Sequence, residues 1–294
     1  MTSHNLAENT KARFLAKLEN GSEEWLDVRS RGIGGSEVGT ILGLNPWESP
    51  YTLWAKKTGR IDRSIPTNEA MEWGNRLEPV VIDKFEDEHS DVTILRNVGT
   101  WSHADREWQI ANPDAIFVTP SGDFGIIEVK TAQYEDGWSE GVPAHYEAQV
   151  QWYLQTFGFD RAWVIVLFHG NRYAEFEILA DAVYQERALK LVTEFREYVV
   201  GDISPEFDGA RNTYETVRKV HPKIEDTETE IGWLGVEYFA ADEAYRAAEA
   251  EVLKTKSLIL DAMGSSKKGL VEGEWVFSRS ARGTGDPFLV VKRG

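Results

Sequence analysis

The spacing of apolar residues changes from helical to strand-like in the middle of the chain, and this change limits the folds that the chain can adopt. Before residue 90 the apolar positions recur at helical spacing, most clearly over 69–89. Three segments rich in β-branched and aromatic residues then follow, with turn residues between or within them, at 92–101, 108–118 and 124–130. We expect these segments to form three consecutive antiparallel strands.

The segments on either side extend this pattern. A helix is predicted from about Ala7 to Arg29, and the glycines at 32–35 lead into another short helix. After the three strands we predict a helix, two strands and a helix with an Asp cap, at 143–157, 162–168, 172–178 and 181–200. Together these elements predict an α+β core, with a central mixed sheet flanked by helices.

Composition changes after the last of these helices. We therefore predict three parts: a core at 1–205, a polar linker rich in Thr and Glu at 206–230, and a C-terminal extension at 231–294. In the extension, a long helix over 231–263 carries an apolar stripe, and a β-hairpin or three short strands follow. Because a tethered apolar stripe must be buried, we hypothesise that the extension mediates assembly or recruits a protein partner.

The chain contains no cysteine, which excludes disulfide frameworks, thiol nucleophiles and cysteine-ligated clusters. With 49 Asp and Glu against 6 His, a bound metal ion is expected to be a hard cation such as Mg²⁺ or Mn²⁺. No segment is long and apolar enough to span a membrane, and the N-terminus lacks the apolar centre of a signal peptide. We expect a soluble, cytoplasmic protein.

The net charge of −17 argues against a nucleic-acid partner, since phosphate binding depends mainly on Lys and Arg. The charge is uneven, however, because residues 1–60 hold eight Lys and Arg against seven Asp and Glu. A nucleic-acid-binding site lined by basic residues can therefore coexist with an acidic protein surface.

Two acidic residues and one lysine lie on neighbouring predicted strands. Asn112-Pro113-Asp114 belongs to one of them, and Glu128-Val129-Lys130 to the next. Alternation along a strand directs Glu128 and Lys130 to one face, with Val129 toward the core. Two carboxylates holding Mg²⁺ beside a lysine suit phosphodiester hydrolysis, whereas an isolated Glu-x-Lys triplet is more often a surface ion pair.

Other motifs accompany this group in a fixed order. Gly74-x-x-x-Glu78 precedes it, and Gln149-x-x-x-Tyr153 follows on the next helix. Taken alone, Glu78 is more often a solvated carboxylate. In this order the motifs resemble those of the YqaJ-like viral recombinase family of the PD-(D/E)xK nuclease superfamily, which includes bacteriophage lambda exonuclease. The match covers roughly 22–200, and a second motif at 29–38 belongs to it.

The resemblance implies a restriction-endonuclease-like core and a role for each matching residue. It implies two metal ions, one held by Asp114, Glu128 and the Val129 carbonyl and one near Glu78. It also implies Lys130 as the catalytic lysine and Gln149 as a supporting polar residue of the catalytic group. It further implies that Arg29 and Ser36 bind a DNA 5′ phosphate. Arg31 remains an alternative phosphate ligand, and Tyr153 and Trp47 are supporting candidates.

The resemblance also implies an activity and its partners. We expect a 5′-to-3′ exonuclease of phage-type recombination in a bacterial host, acting on duplex DNA ends and leaving single strands for an annealing protein. A homo-oligomer is implied, possibly a homotrimer. A structure-specific or nicking endonuclease and a catalytically silent DNA-binding module are the alternatives.

Overall fold

The computed structural model describes residues 3–18, 22–63 and 68–292. Contacts divide the chain into two compact units, Met1–Lys223 and Ile224–Gly294. The helices of the first unit are α1 (Ser3–Glu8), α2 (Glu23–Arg31), α3 (Gly35–Ile41), α4 (Pro50–Lys57), α5 (Glu69–Glu88), α6 (Ala144–Phe157), α7 (Ala182–Val200) and α8 (Arg211–Val220). Its strands are β1 (Ala12–Ala16), β2 (Ile33–Gly34), β3 (Thr93–Arg96), β4 (Thr100–His103), β5 (Arg106–Ala111), β6 (Ala115–Val118), β7 (Phe124–Ala132), β8 (Arg161–Phe168) and β9 (Arg172–Leu179).

The main sheet has the strand order β3-β6-β7-β8-β9 among the described residues, and β7 and β8 run parallel while the other pairs run antiparallel. Helix α5 covers one face, where Phe85 packs with Ile127 and Ile165. Helix α6 covers the other, where Leu154 and Ile126 belong to the larger core. Burial on both faces explains why β8 is a continuous apolar run, and each such side chain contributes about 1.5–3 kcal/mol. The predicted α+β core is confirmed.

A second mixed sheet has the order β1-β4-β5-β2 in the described part of the chain. Strand β2 pairs in parallel with β5 and continues directly into α3. Because β2 lies between Arg29 at the end of α2 and Ser36 at the start of α3, its pairing with β5 fixes the backbone that joins these two residues.

The N-terminal region differs from its prediction. A helix was expected from Ala7 to Arg29, but this region holds the end of α1, strand β1 and most of α2, and residues 19–21 lie outside the described residues. Strand β1 pairs with β4, and Phe14 packs edge-to-face on Trp101 at 5.2 Å. Pairing with a distant strand has overridden the local helical pattern.

Two predicted strands are each divided. The segment 92–101 forms β3 and the start of β4, separated where Asn97 and Gly99 have φ of 54° and 81°. The segment 108–118 forms most of β5 and all of β6, and the two parts lie in different sheets. The expectation of three consecutive paired strands was therefore wrong for the first two, because the chain crosses between sheets at both breaks.

The predicted linker at 206–230 contains α8, which packs on α4. Thr213 Oγ1 donates to Ser49 Oγ at 2.6 Å, and the hydroxyls of Thr216 and Thr52 lie 2.8 Å apart. Val217 and Val220 of α8 also pack against the larger hydrophobic core, and Phe207 packs on Tyr51 at 4.8 Å.

The second unit contains α9 (Trp233–Met263) and the antiparallel strands β10 (Lys268–Val271), β11 (Glu274–Ser280) and β12 (Phe288–Val291). No residue of α9 is buried. Among the described residues, none of the helices is both long enough and apolar enough to cross a membrane.

Candidate active site

Asp114 lies directly before β6 and beside the middle of β7. Antiparallel pairing sets Ala115 opposite Ile127, and the Val129 N–H donates to Asp114 Oδ2 at 2.7 Å. The prediction placed Asp114 within a strand, but the chain turns there between the two sheets. The carboxylate nevertheless lies against the Glu128-Val129-Lys130 segment, as the pattern indicated.

Glu128 and Lys130 share one face of β7, and Val129 packs on the opposite side with α5. Lys130 Nζ donates to Glu128 Oε1 at 2.5 Å, and Gln149 Nε2 donates to the same oxygen at 2.6 Å. Gln149 Oε1 lies 3.3 Å from Lys130 Nζ. Gln149 thus holds both members of the pair, which suits the supporting role implied for it.

The second oxygen of Glu128 has no hydrogen-bond partner. Oε2 is inaccessible to solvent, and the Glu128 side chain is only 3% exposed. A buried carboxylate oxygen left without a donor costs free energy of about 1–3 kcal/mol or more. Glu128 itself lines an open cleft, and carboxylate oxygens are the atoms that divalent cations such as Mg²⁺ prefer as ligands.

Glu78 lines the same cleft as Asp114, Glu128 and Lys130, in a cavity of about 670 Å³. Burial raises the pKa of Glu78, and the charge of Glu128 raises it further. Burial raises the pKa of Asp114 well above its ordinary value, and Glu128 and then Glu78 add to the effect. Three carboxylates therefore face one another with a single lysine among them.

In the described part of the chain, no three His, Asp or Glu side chains stand close enough together to hold a metal ion as they are. Asp114 instead accepts from the Val129 N–H, and Glu128 accepts from Lys130 and Gln149. The residue types nevertheless fit Mg²⁺ or Mn²⁺, because carboxylate and carbonyl oxygens are the ligands these ions prefer. The unpartnered Oε2 of Glu128 is the structural feature that supports this fit.

Lys130 is positioned as a cation. Burial acts to lower the pKa of Lys130, but the charges of Glu128 and Asp114 raise it above its ordinary value. Its Nζ also lies 4.7 Å from the centre of the Tyr146 ring. No role was predicted for Tyr146, and only its position one turn before Gln149 on the same helix could have indicated one.

Arg29 and Ser36 meet at a second cavity, of about 330 Å³. Arg29 Nη2 donates to Ser36 Oγ at 2.9 Å, and the guanidinium stacks over the Trp25 ring at 4.5 Å. Arg31 does not line this cavity in the described structure and is paired with Asp27 at 2.6 Å. The geometry thus brings Arg29, rather than Arg31, to Ser36.

Glu37 and Lys57 also line this cavity, and no role was predicted for either. Lys57 Nζ lies 3.0 Å from Glu37 Oε2 and donates to the carbonyl oxygens of Arg29 and Gly32. A charged residue directly after Ser36, at the start of a short apolar helix, was the available signal for Glu37. Lys57 reaches the cavity only through tertiary packing of α4, so no sequence pattern indicated its position.

The two cavities share walls. Trp47, whose side chain is largely exposed, lines both and packs edge-to-face on His145 at 5.2 Å. Tyr153 is buried between them, since its hydroxyl accepts from Gln149 Nε2 at 3.1 Å while a Cβ at Gly35 would lie 2.4 Å from its ring. A glycine at position 35 is what permits this approach.

The chain is similar to a family model, to a curated protein and to solved structures. The model of the YqaJ-like viral recombinase domain matches residues 24–160. The uncharacterized protein YqaJ of Bacillus subtilis (strain 168) is 34% identical over 226 residues, which cover 74% of this chain and 69% of that protein. The alkaline exonuclease LHK-Exo from Laribacter hongkongensis has a TM-score of 0.52 and 20% identity, covering 62% of this chain and 94% of its own.

A second structure of LHK-Exo, in complex with dAMP, has a TM-score of 0.51 and 20% identity, with the same coverage of the two chains. At this identity the likeness concerns the fold alone. It confirms the predicted restriction-endonuclease-like architecture.

Proposed function

The chain belongs to the YqaJ-like viral recombinase family, and on that premise we propose that it is a metal-dependent deoxyribonuclease that degrades duplex DNA from its ends. We assign it the 5′-to-3′ direction, which leaves single-stranded DNA for an annealing protein. The observation that carries the proposal is the buried, unpartnered Oε2 of Glu128 in a cleft with Asp114 and Lys130.

Asp114, Glu128 and the Val129 carbonyl are the proposed ligands of one Mg²⁺ or Mn²⁺ ion, with Glu78 near a second. Such an ion supplies positive charge to the scissile phosphate and makes water more acidic. Lys130, protonated and held by Glu128 and Gln149, supplies a fixed positive charge to phosphate oxygens as negative charge develops on them. Fixing Lys130 beforehand avoids reorganisation during the reaction.

The proposed preference for DNA ends rests on the cavity lined by Arg29 and Ser36. Arg29 offers a planar fork that suits a terminal phosphate, and Ser36 Oγ lies beside it. A site for a 5′ phosphate favours digestion from an end over cutting within a duplex. We therefore propose an exonuclease in preference to a nicking endonuclease.

The test is digestion of end-labelled linear duplex DNA with a 5′ phosphate or a 5′ hydroxyl, alongside a covalently closed circle. We expect Mg²⁺-dependent release of nucleotides from linear DNA, faster with the 5′ phosphate, and an intact circle. Equal cutting of circle and linear DNA with no effect of the end group would instead favour an endonuclease. Binding without any cutting, in Mg²⁺ and in Mn²⁺, would favour the silent DNA-binding module.

Assembly belongs to the proposal as well. We propose that the chain forms a homo-oligomer, possibly a homotrimer, and that the C-terminal unit contributes to assembly or binds the annealing protein. Support comes from α9, which carries exposed apolar side chains such as Tyr238, Tyr245 and Val252. Such a stripe on a helix is typical of a surface that packs against another helix.

A further inference from the structure

Lys57 reaches the cavity of Arg29 and Ser36 but has no donor free for a ligand. Its side chain is 4% exposed, and Nζ lies 2.9 Å from the Arg29 carbonyl, 2.8 Å from the Gly32 carbonyl and 3.0 Å from Glu37 Oε2. An ammonium group has three N–H donors, and these three acceptors use all of them. Lys57 therefore acts on a ligand only through its neighbours.

Glu37 lies between two cations. Its Oε2 faces Lys57 and accepts the Gly34 N–H at 2.8 Å, while Oε1 lies 3.3 Å from Arg29 Nη2. Burial alone would raise the pKa of Glu37, but the charges of Lys57 and Arg29, with the Gly34 N–H, outweigh it and hold this pKa below its ordinary value. The carboxylate is therefore ionised beside the residue proposed to bind phosphate.

The charges decide what Arg29 can do. Arg29, Glu37 and Lys57 together carry one net positive charge, and that charge lies at the cavity because Lys57 already neutralises Glu37. Without Lys57, Arg29 and Glu37 would form a neutral pair in a partly buried site, where an ion pair strengthens because solvent screens it little. The Arg29 fork would then be drawn onto Glu37.

From this geometry we propose that Lys57 is a positioning residue that neutralises Glu37, so that Arg29 keeps its charge and its donors for a terminal phosphate. The proposal rests on the proposed function, in which Arg29 and Ser36 bind the DNA 5′ phosphate. Arg29 and Ser36 set the preference for phosphorylated ends, and Lys57 preserves it by offsetting the charge of Glu37.

The experiment compares kcat/KM on linear duplexes with a 5′ phosphate and with a 5′ hydroxyl. For Lys57→Met we expect the ratio of the two values to fall about tenfold, as a rise in KM rather than a fall in kcat, because a charge-assisted contact is weakened. The double variant Lys57→Met/Glu37→Gln removes both buried charges and leaves Arg29 as the net cation. We expect it to regain most of the wild-type ratio.

Lys84→Met is the matched control, because Lys84 pairs with Glu88 on the exposed side of α5 and does not line this cavity in the described structure. It should change the ratio less than twofold, about what loss of a screened surface charge causes. Melting curves of every variant show whether it is folded. If Lys57→Met alone is too unstable to assay, the double variant still provides a test. It leaves no unpaired charge buried, because Lys57 and Glu37 are neutralised together.

Three results would overturn the proposal: a wild-type ratio in folded Lys57→Met, a folded double variant as poor as Arg29→Ala, or an equal loss in Lys84→Met. Failure of the proposed function would give another result, which can be told apart from these three. If the wild-type protein shows no end preference and Arg29→Ala changes nothing, the phosphate site is absent, and the role of Lys57 falls with it.

Discussion

At the scale of single residues, the two oxygens of the Glu128 carboxylate have unequal surroundings. Oε1 accepts from both Lys130 and Gln149, whereas Oε2 is buried without a donor. Asp114 and Glu78 add two further carboxylates to the same cleft. The cleft is thus short of positive charge, and this shortage is the physical reason for proposing that a divalent cation binds there.

Metal binding should therefore be visible in stability as well as in activity. We expect Mg²⁺ at about 100 times its Kd to stabilise the wild-type protein by about 2.7 kcal/mol, and Asp114→Asn to lose most of this gain. Without metal, Asp114→Asn should be at least as stable as wild type, because one of three mutually repelling charges is removed. Calorimetry in EDTA and in Mg²⁺ measures both effects.

Asp83→Asn serves as the control for that comparison, since Asp83 lies on α5 in an exposed pair with Arg96. It should keep the full response to Mg²⁺. A wild-type melting temperature that responds to neither Mg²⁺ nor Mn²⁺ would contradict the predicted site.

Arg29 is the residue expected to recognise a 5′ phosphate at the end of the DNA. Arg29→Ala should lower kcat/KM about tenfold or more on 5′-phosphorylated ends and less on hydroxyl ends, because the lost contact is to that phosphate. Arg31→Ala should keep the wild-type ratio, since Arg31 pairs with Asp27 away from the cavity. The reverse result would restore Arg31 as the phosphate ligand.

At the scale of elements, helices α3 and α6 join the two cavities. Gly35 begins α3, and Tyr153 of α6 packs against it while its hydroxyl contacts Gln149. A displacement of one helix against the other would therefore move Arg29 and Ser36, the proposed phosphate ligands, relative to Glu128 and Lys130.

Gly35→Ala tests this packing. A Cβ there would lie 2.4 Å from Tyr153 Cε1, so we expect a loss of about 1–3 kcal/mol in stability and a fall in nuclease rate. Gly209→Ala is the control, because no atom lies within 4 Å of its added Cβ, and its effect should stay within about 0.5 kcal/mol. Thermal melting measures the stability and digestion measures the nuclease rate of both variants. If Gly35→Ala keeps the wild-type stability and rate, the packing of α3 on α6 does not couple the two cavities.

Elements were predictable where the local pattern and the tertiary environment agree. The run from Ala162 to Phe168 is apolar because β8 is covered on both faces, and Asp181 caps α7 through its own side chain, so both predictions are confirmed. Strand β1 was missed because its partner β4 lies far along the chain. The position of Lys57 could not be predicted for the same reason, since its contacts come from Arg29 on α2, Gly32 just before β2 and Glu37 on α3.

At the scale of the whole molecule, the division into two units bears on where the proposed nuclease ends. The first unit runs to Lys223 and includes α8, which the prediction assigned to a linker. Helix α8 contacts α4 through hydroxyl pairs such as Thr213 with Ser49. The first compact unit therefore extends beyond residue 205, where the predicted core ends.

Truncation tests this boundary. A chain ending at Asp226 should remain folded and degrade linear DNA, but with a changed oligomeric mass if the second unit contributes to assembly. A chain ending at Pro205 should melt several degrees lower, because Ser49 and Thr52 lose their hydroxyl partners on α8. Light scattering and thermal melting provide the readouts. If the chain ending at Asp226 unfolds, the second unit is part of the core.

Asp114, Glu128 and Lys130 are proposed to form a metal-dependent nuclease site. The decisive measurement is the rate of nucleotide release from 5′-phosphorylated linear duplex DNA by wild type, Lys130→Ala and Asp114→Asn, each with Mg²⁺ or excess EDTA. We predict release by the wild type in Mg²⁺ alone, and rates reduced more than about a hundredfold in both folded variants. Full activity in either folded variant, or undiminished activity in EDTA, would contradict the claim.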